Sequence, residues 1–342
     1  MDNSINFYKT LPKVELHRHL EGSLRLDTLQ EIARLHRMRI PGGRGALGRL
    51  VQVQQRDPGN HDHFLAKFST LRKFFLSPEI IQRVTREAVQ DAARDNVRYL
   101  ELRFTPLALS LARDFPLGEV MDWVCESARL AARGSGILVR LIASVNRHES
   151  PSLAEQVACL AAARITAGIL GLDLAGNEAG YSAEPFAGII KEAYQSGLKL
   201  TVHAGEWSGA DSVGEALLCL NVDRIGHGVR IIEDPRILSL ARERGAAFEV
   251  CVTSNFQTGV IPAREVHPVM SMVRAGLNVT VCTDNPSISQ ATLSDEYRRV
   301  CEDLEMGSTL LKERILSAAR AGFLPEAERE KLVAGLQREL GL

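Results

Sequence analysis

Two histidines at the end of the first apolar run are the earliest residues whose type and spacing could do chemistry. His17 and His19 lie in the run Lys13–Leu20, which reads KVELHRHL. Residues two apart on a strand point to the same side, so both imidazoles would face the same way. Imidazole nitrogens are common ligands of zinc and related divalent ions. An H-x-H pair also occurs by chance, so this pair alone is a weak signal.

Ionisable residues also end three later runs of the chain. His203 is followed three residues later by Glu206, and Gly205 between them allows a sharp turn. His227 lies between two glycines, and Asp284 ends the last apolar run. Capping or solvation would explain any one of these residues, but not four strand ends together, because buried ionisable groups need a partner or a use. Three histidines and one aspartate predict a mononuclear metal site with room for water.

Eight short runs rich in β-branched and apolar residues recur along the chain, separated by helical stretches. The runs are Lys13–Leu20, Val97–Phe104, Ile137–Val145, Ile169–Leu174, Leu198–His203, Val222–His227, Ala246–Thr253 and Leu277–Thr283. Strands that alternate with helices and are apolar throughout indicate a parallel sheet covered on both sides. Eight such units predict an α/β fold, the (β/α)8 TIM barrel, whose active sites lie at the carboxyl ends of the strands. No G-x-G-x-x-G follows the first strand, which argues against a dinucleotide site.

The segment from Pro41 to Phe75 lacks strand character and contains the turn signals PGGRG and DPGN. Because it follows the first strand and helix, it would lie over the carboxyl-terminal mouth of a barrel, and we predict a lid insertion around 41–75. A helical hairpin without a catalytic role is the alternative. After Asp284 the chain reads as helix to its end. We therefore predict a single metal-dependent hydrolase barrel domain over residues 1–342, with extra helices after the first strand and at the C-terminus.

The composition excludes several classes of protein. The chain has 342 residues, of which 45% are hydrophobic, and 41 basic residues stand against 42 acidic ones. This apolar share excludes a disordered chain, and the net charge of −1 argues against nucleic-acid and membrane-surface partners. We expect no membrane span and no signal peptide, since no apolar run approaches the roughly 20 residues a span needs. Six dispersed cysteines predict reduced core thiols in a cytoplasmic protein. The sequence assigns no oligomeric state.

The motifs ELHRHLEGS, LDLAGNE, HAGE, RIGHGVR, TSNFQTG and TDNP occur in this order along the chain. Together they resemble the adenosine deaminase family of the amidohydrolase superfamily, from Leu11 to the last barrel strand. The resemblance implies one Zn²⁺ per chain, held by His17, His19, His203 and Asp284. It also implies that Glu206 shuttles protons and that His227 orients the attacking hydroxide, with Asp284 as the third catalytic residue.

The same resemblance implies the contacts with a small purine nucleoside, made by His19, Glu21, Gly176 and Asn285. In the family, the residue matching Gly176 offers its N–H to purine N3, and the residue matching Glu21 lies on the ribose side. Asn285 replaces an aspartate that often meets purine N7; an amide N–H can donate to N7 as well. Glu21 replaces an aspartate that is common in nucleoside deaminases, and adenine deaminases share the glutamate. The RIGH and TDN motifs look more like those of the nucleoside enzymes.

The resemblance thus implies zinc-dependent hydrolytic deamination of adenosine and 2′-deoxyadenosine to inosine and ammonia. Three alternatives stay open at this point. The substrate could be adenine or an adenosine-like metabolite such as aminodeoxyfutalosine. The chain could hydrolyse an amide, lactone or phosphoester, although the fourth run carries no lysine to bridge two metals. It could be a catalytically silent binding protein, although no ligand is missing. A cytidine-type zinc deaminase is excluded by the missing PCxxC segment.

Overall fold

Eight parallel strands, paired in chain order, form the centre of the molecule in a computed structural model that describes residues 3–342. The strands are β1 (Lys13–His19), β2 (Val97–Phe104), β3 (Leu138–Asn146), β4 (Ile169–Ala175), β5 (Lys199–Ala204), β6 (Arg224–His227), β7 (Ala247–Val250) and β8 (Asn278–Val281). A bridge between Arg18 and Asp284 joins β1 to the residues that follow β8, so the sheet comes nearly full circle. The predicted (β/α)8 barrel is confirmed.

Helices surround the barrel and fill the connections between its strands. The α-helices are α1 (Asn3–Thr10), α2 (Leu26–Leu35), α3 (Leu47–Val51), α4 (His61–Leu71), α5 (Pro78–Arg94), α6 (Pro106–Ser110), α7 (Leu117–Ser135), α8 (Pro151–Ala162), α9 (Ala187–Gln195), α10 (Ala210–Leu218), α11 (Pro235–Arg244), α12 (Val252–Gln257), α13 (Val269–Arg274), α14 (Pro286–Ser289), α15 (Leu293–Arg298), α16 (Ser308–Ala321) and α17 (Glu326–Leu340). Short 3-10 helices lie at Arg44–Ala46, Arg72–Phe74, Ile165–Ala167, Glu184–Phe186 and Val229–Glu233, and a π-helix at Arg299–Asp303. Within residues 3–342, no helix has the length and apolar character that crossing a bilayer requires.

The end of the seventh predicted strand is wrong. The run Ala246–Thr253 is rich in β-branched residues, yet β7 ends at Val250 and α12 begins at Val252. The backbone N–H and the hydroxyl of Thr253 both donate to the buried carboxylate of Glu296. This contact from a distant helix outweighs the local β propensity, which is a weak preference.

The two faces of the strands differ, which the apolar runs did not predict. Three charged residues fill the barrel interior: buried Arg103 of β2 and buried Arg224 of β6 each form an ion pair with buried Glu249 of β7. Neighbouring residues such as Phe248 and Val250 alternate with them and are buried in the apolar core. The barrel interior is therefore ionic below the predicted site, while the apolar faces pack against the helices.

The segment 41–75 contains no strand, as predicted. Its chain is held against α14, which follows β8: the Val53 N–H donates to the Ile288 carbonyl at 2.9 Å, and Gln52 Nε2 donates to the Ser287 carbonyl at 3.2 Å. Both anchors lie beyond the carboxyl end of the last strand. That this segment opens and closes as a lid, and that residues 1–342 are one domain, stay predictions.

The cysteines are all free thiols, but their expected burial holds only in part. Cys125, Cys251 and Cys282 are buried, and Cys301 is half-buried. Cys159 and Cys219 are exposed, so the core interpretation is wrong for these two. Cys159 comes directly after buried Ala158 of α8, and Cys219 comes two residues after buried Leu217 of α10. The sequence around both cysteines is rich in alanine and leucine, so it does not reveal which side of each helix faces solvent.

We predict that Arg224→Met destabilises the protein strongly. Arg224 pairs with Glu101 and, at 2.6 Å, with Glu249, and its guanidinium stacks 3.5 Å from the ring centroid of Phe323. Removing one member of a buried ion pair leaves an uncompensated charge, which costs about 3–5 kcal/mol. Urea unfolding measures the loss. The matched control is Arg236→Met, which removes an exposed arginine paired with Asp234; equal stability of the two variants would contradict the prediction.

Candidate active site

A cavity of about 410 Å³ opens at the carboxyl ends of the strands. Its lining contains nearly every residue that the sequence singled out: His19, Glu21, Gly176, His203, Glu206, His227, Asp284 and Asn285. His17 is fully buried beneath them. The helical segment over the mouth adds apolar residues to the wall, with Phe64 and Phe68 of α4. The structure therefore brings the predicted site residues together around one cavity.

Four histidine rings and one aspartate meet on the floor of this cavity. The ring of His17 lies 4.7 Å from that of His203 and 4.8 Å from that of His227, between centroids. Asp284 Oδ1 lies 3.5 Å from His17 Nε2 and 3.4 Å from His19 Nε2. Ligand atoms of His17, His203 and His227 lie within 4.8 Å of one another, as do those of His17, His19 and Asp284. Five groups that can bind a metal ion thus share one small volume.

The closure of the barrel sets the position of Asp284. Its N–H donates to the His17 carbonyl at 2.9 Å, and its carbonyl accepts from the His19 N–H at 2.8 Å. Asp284 and His227 both adopt left-handed backbone conformations, with φ of 65° and 59°. Such conformations cost a non-glycine residue roughly 1–3 kcal/mol and are concentrated at functional sites. The backbone is strained at the two positions where side chains must point into the cavity.

A buried carboxylate fixes the ring of His17. His17 Nδ1 lies 2.8 Å from Glu249 Oε2. Burial alone would raise the pKa of Glu249, but the guanidinium groups of Arg103 and Arg224 hold it well below its usual range. The ionised carboxylate can only accept, so His17 carries its hydrogen on Nδ1 and turns the lone pair of Nε2 towards the cavity.

His203 is held in the same way by Asp173. The two side chains are 3.0 Å apart, between Nδ1 and Oδ1. Burial alone would raise the pKa of Asp173, but His203 and Arg103 hold it well below its usual range. His203 therefore also presents Nε2 to the cavity. Carboxylates that orient ligand histidines in this way are typical of metal sites.

The arrangement of donors fits a divalent ion. His17 Nε2 is buried without a hydrogen-bond partner, and the nearest polar atom is an oxygen of Asp284, itself an acceptor. Two acceptors that face each other need a proton or a cation between them. Despite burial and the nearby Arg103, the contacts with Asp284 and Glu249 raise the pKa of His17, so this place favours positive charge. Imidazole nitrogens with one carboxylate form a ligand set that suits zinc and other divalent transition ions.

His227 differs from the other histidines because a chain of hydrogen bonds puts its hydrogen on the opposite nitrogen. The Val269 N–H donates to His267 Nδ1 at 3.2 Å, so neutral His267 carries its hydrogen on Nε2. His267 Nε2 lies 3.2 Å from Asn255 Oδ1, and Asn255 Nδ2 lies 3.2 Å from His227 Nδ1. An amide nitrogen only donates, so His227 accepts at Nδ1 and carries its hydrogen on Nε2. Burial lowers the pKa of His267 to about 3 and that of His227 well below its usual range, so both rings are neutral.

Glu206 lies beside His227, with 3.7 Å between Glu206 Oε2 and His227 Nε2. Burial, followed by the charges of Asp284 and Glu178, raises its pKa well above the usual range. Glu178 positions the turn that carries Glu206, because its carboxylate accepts the backbone N–H groups of Gly205, Glu206 and Trp207 at 2.6, 3.0 and 2.9 Å. The result is a carboxyl group that keeps its proton to higher pH than an ordinary glutamate, beside the histidines and the aspartate on the cavity floor.

The residues predicted to contact a substrate surround the rest of the cavity. Gly176 has φ of 90°, and a Cβ there would lie 2.9 Å from His148 Nδ1. Asn285 is buried, and its Oδ1 has no hydrogen-bond partner within the described residues. A Cβ on Gly22 would lie 1.9 Å from that oxygen, so only glycine at position 22 leaves room for Asn285. The roles of these residues stay predictions.

Several residues of the site escaped the sequence analysis. Those that support it are Arg103, Asp173, Glu178, Glu249, Ser254 and Asn255. Asp173 and Glu178 lie in the LDLAGNE motif, and Ser254 and Asn255 in TSNFQTG, so the motifs held a signal for these four. His148 is exposed and also lines the cavity. His267 is buried and accepts a hydrogen bond from the Val269 N–H.

We predict that Asn255→Asp moves the hydrogen of His227 from Nε2 to Nδ1. A carboxylate only accepts, so it cannot donate to His227 Nδ1 as the amide does. The ¹⁵N chemical shifts of the His227 ring measure the change directly. Gln257→Glu is the matched control, because it makes the same exchange on the same helix but its amide donates to the Ser289 carbonyl instead. A His227 ring that keeps its hydrogen on Nε2 in Asn255→Asp would refute the assigned chain of hydrogen bonds.

We predict that His203→Ala and Asp284→Ala bind a divalent ion much more weakly than the unchanged chain. The loss should exceed the roughly 10–100-fold that changes outside the ligand shell cause, since a ligand itself is removed. Competition with a chromogenic chelator measures the affinity of the purified protein for Zn²⁺. His148→Ala serves as the control, because His148 lines the cavity outside the ligand cluster. Full metal content in both ligand variants would contradict the assignment.

Comparison with known proteins agrees with this geometry. The sequence model of the adenosine deaminase family matches residues 12–339. An adenosine deaminase of Clostridium perfringens is 32% identical over 322 residues, covering 94% of this chain and 97% of the relative. An adenosine deaminase of Serratia proteamaculans is 32% identical over 325 residues, with the same two coverages of 94% and 97%.

Solved structures with the same fold are deaminases and amidohydrolases. An adenine deaminase from Arthrobacter aurescens superposes with a TM-score of 0.89 at 25% identity, covering 97% of this chain and 100% of that one. An N6-mAMP deaminase from Arabidopsis superposes with a TM-score of 0.87 at 26% identity, covering 97% and 99%. An amidohydrolase from Burkholderia ambifaria with bound zinc has a TM-score of 0.88 at 25% identity, covering 100% and 94%. The chain belongs to the adenosine deaminase family.

Proposed function

We propose that the protein is a zinc-dependent hydrolase that converts adenosine and 2′-deoxyadenosine to inosine and ammonia, with one Zn²⁺ per chain, in the cytoplasm. The observation that carries this proposal is the convergence of side chains that can bind a metal ion and a buried carboxyl group, that of Glu206, in one cavity. The family membership and the adenosine deaminases at 32% identity support the reaction type.

The ion would be held by His17, His19, His203 and Asp284, and the carboxylates behind His17 and His203 turn their Nε2 lone pairs towards the cavity. When bound, a divalent ion lowers the pKa of a coordinated water from 15.7 to about 7 and so supplies a nucleophile at neutral pH. Ser254 donates to the second oxygen of Asp284 at 2.6 Å and leaves Oδ1 towards the ligand histidines. The protein thus fixes both the ligands and the direction from which the nucleophile approaches.

Glu206 is the proton carrier of the proposed reaction. As the oxygen of water forms its bond to C6 of the purine, Glu206 donates its proton to N1, and a tetrahedral carbon results. Glu206 then takes one proton of the attacking water and passes it to the amino group. The bond from C6 to nitrogen breaks, ammonia leaves, and the second proton of that oxygen returns to Glu206 as C6 becomes a carbonyl. The raised pKa of Glu206 supports the first step, because the acid must still hold its proton when the substrate binds.

His227 orients the attacking oxygen. Its Nε2–H faces the space beside Glu206, and its hydrogen-bond chain through Asn255 prevents that nitrogen from acting as a metal ligand. A neutral imidazole that only donates there can hold an oxygen through its lone pair without taking the proton away. This division leaves proton transfer to Glu206 and positioning to His227.

The purine and the sugar would lie across the remaining wall of the cavity. We assign the Gly176 N–H to purine N3 and the Asn285 amide to N7, which accepts a hydrogen bond. Glu21 would face the sugar, and His19 would contact the substrate as well as hold the ion. Adenine is the second candidate substrate, and one observation favours it: Glu21 has the residue type of the adenine deaminases at this position. An adenosine-like metabolite such as aminodeoxyfutalosine is the third.

A substrate panel tests the proposed function. The zinc-loaded protein should release ammonia from adenosine and 2′-deoxyadenosine with a higher kcat/KM than from adenine. Glu206→Gln should keep its zinc and lose about 10²- to 10⁴-fold in kcat, the usual contribution of a positioned acid and base. The control Glu233→Gln changes an exposed glutamate outside the cavity and should retain full activity. Preference for adenine would overturn the nucleoside assignment, and an unchanged kcat in Glu206→Gln would remove Glu206 from proton transfer.

A further inference from the structure

The sugar side of the cavity contains a guanidinium group that the proposed reaction does not use. Arg72 lies in the 3-10 helix directly after α4 and lines the cavity together with Ser69 and Glu21. Its side chain makes no hydrogen bond or ion pair within the described residues, and its Nε is buried without a partner. An arginine cannot lose its charge in a protein, so a half-buried guanidinium that faces a cavity calls for an anion.

The carboxylate of Glu21 does not serve as the anion that pairs with Arg72. Glu21 is only 2% exposed. Burial raises the pKa of Glu21, and the positive charge of Arg72 partly opposes that rise. Glu21 is nevertheless held elsewhere, because its Oε1 accepts the Thr105 N–H at 2.7 Å. Its Oε2 is buried without a partner, as is Arg72 Nε. The carboxylate and the guanidinium therefore lie near each other and leave one acceptor and one donor for a ligand.

Two arginines that donate to backbone carbonyls of cavity-lining residues already have partners in the protein. Arg147 donates to the carbonyl oxygens of His203 and Tyr181, and Arg230 pairs with Glu233 at 2.7 Å. Arg72 differs from both because it lines the cavity itself, in a wall to which α4 also contributes Phe64 and Phe68. An apolar wall excludes water, and a charge pair is stronger where water is excluded. The planar guanidinium also matches phosphate and carboxylate groups better than any other side chain.

We propose that the preferred substrate of this cavity is a purine nucleoside with an anionic group, a phosphate or a carboxylate, on the 5′ side of the sugar. A sugar hydroxyl donates to Glu21 Oε2, and the anionic oxygens accept from Arg72. This inference rests on the proposed deamination for the position of the purine, and it extends that proposal from the base to the sugar side.

The test compares neutral and anionic substrates of the zinc-loaded full chain. The panel is adenosine, 5′-deoxyadenosine, adenosine 5′-monophosphate and adenosine 5′-carboxylate, followed by ammonia release. We expect kcat/KM for at least one anionic substrate to exceed that for adenosine by about tenfold or more. Arg72→Met should lower this ratio by about 10- to 100-fold, the range of a charge-assisted hydrogen bond pair. Arg72→Lys keeps the charge but not the planar fork, and should retain part of the preference.

Lys73→Met is the matched control. Lys73 is the next residue of the same helix, is exposed and does not line the cavity, so its removal should leave the ratio within twofold. Preference for the phosphate alone identifies a nucleotide substrate, and preference for the carboxylate alone identifies a nucleoside carboxylate. Equal kcat/KM for neutral and anionic substrates, or a ratio that Arg72→Met does not change, would overturn the inference.

A binding measurement separates this inference from the proposed function. Calorimetry gives the Kd of inosine 5′-monophosphate and of inosine for the unchanged chain and for Arg72→Met, and neither Kd depends on the chemical step. Tighter binding of the phosphate that disappears in Arg72→Met supports the anion subsite even if no purine is deaminated, in which case only the proposed reaction fails. Deamination of adenosine together with equal binding of both ligands leaves the reaction standing and refutes the role of Arg72.

Discussion

The guanidinium of Arg103 is the contact on which the geometry of the candidate site depends. It is fully buried, and it lies 2.7 Å from Glu249 and 3.3 Å from Asp173. These two carboxylates orient His17 and His203, which come from strands on opposite sides of the interior. Without the positive charge between them, two buried carboxylates would repel each other and take up protons, and an un-ionised carboxyl no longer dictates which nitrogen of a histidine carries the hydrogen. One buried cation thereby holds two ligand rings in the same orientation.

Three histidines of the cluster, His17, His203 and His227, do not present the same kind of atom to the cavity, because their second nitrogens meet different partners. A carboxylate behind His17 and His203 leaves Nε2 as a lone pair, whereas an amide behind His227 leaves Nε2 as a donor. Distances between the rings do not separate a lone pair from a donor, because the ligand atoms of His17, His203 and His227 all lie within 4.8 Å of one another. The hydrogen-bond partner on the far side of each ring is what separates a metal ligand from a group that positions an oxygen.

The sequence allowed the barrel and most of the cavity lining to be predicted, because strand ends are local features. His17, His203 and His227 each end an apolar run, and parallel strands bring such ends to one face of a barrel. Glu249 gave no such signal, since it lies in the middle of an apolar run, and its partner His17 is 232 residues away. Thr253 was assigned to a strand for the same reason, as its local pattern contains nothing of the contact with Glu296. What could not be predicted are pairings across the barrel interior, which depend on the closed fold and not on periodicity.

In the proposed reaction, the groups that carry the chemistry and the groups that face the sugar come from different parts of the chain. The metal-ligand cluster and Glu206 come from strand ends that the ionic interior holds rigidly, and moving any of them would expose or unpair a buried charge. Phe64, Phe68 and Arg72 come from the helical segment after β1, which is tied to the barrel through a few backbone contacts such as Val53 to Ile288. Substitutions of Phe64, Phe68 or Arg72 would change this wall of the cavity without removing a member of the ion pairs in the barrel interior. Members of one family can therefore keep the reaction at the purine while the group attached to the purine differs among them.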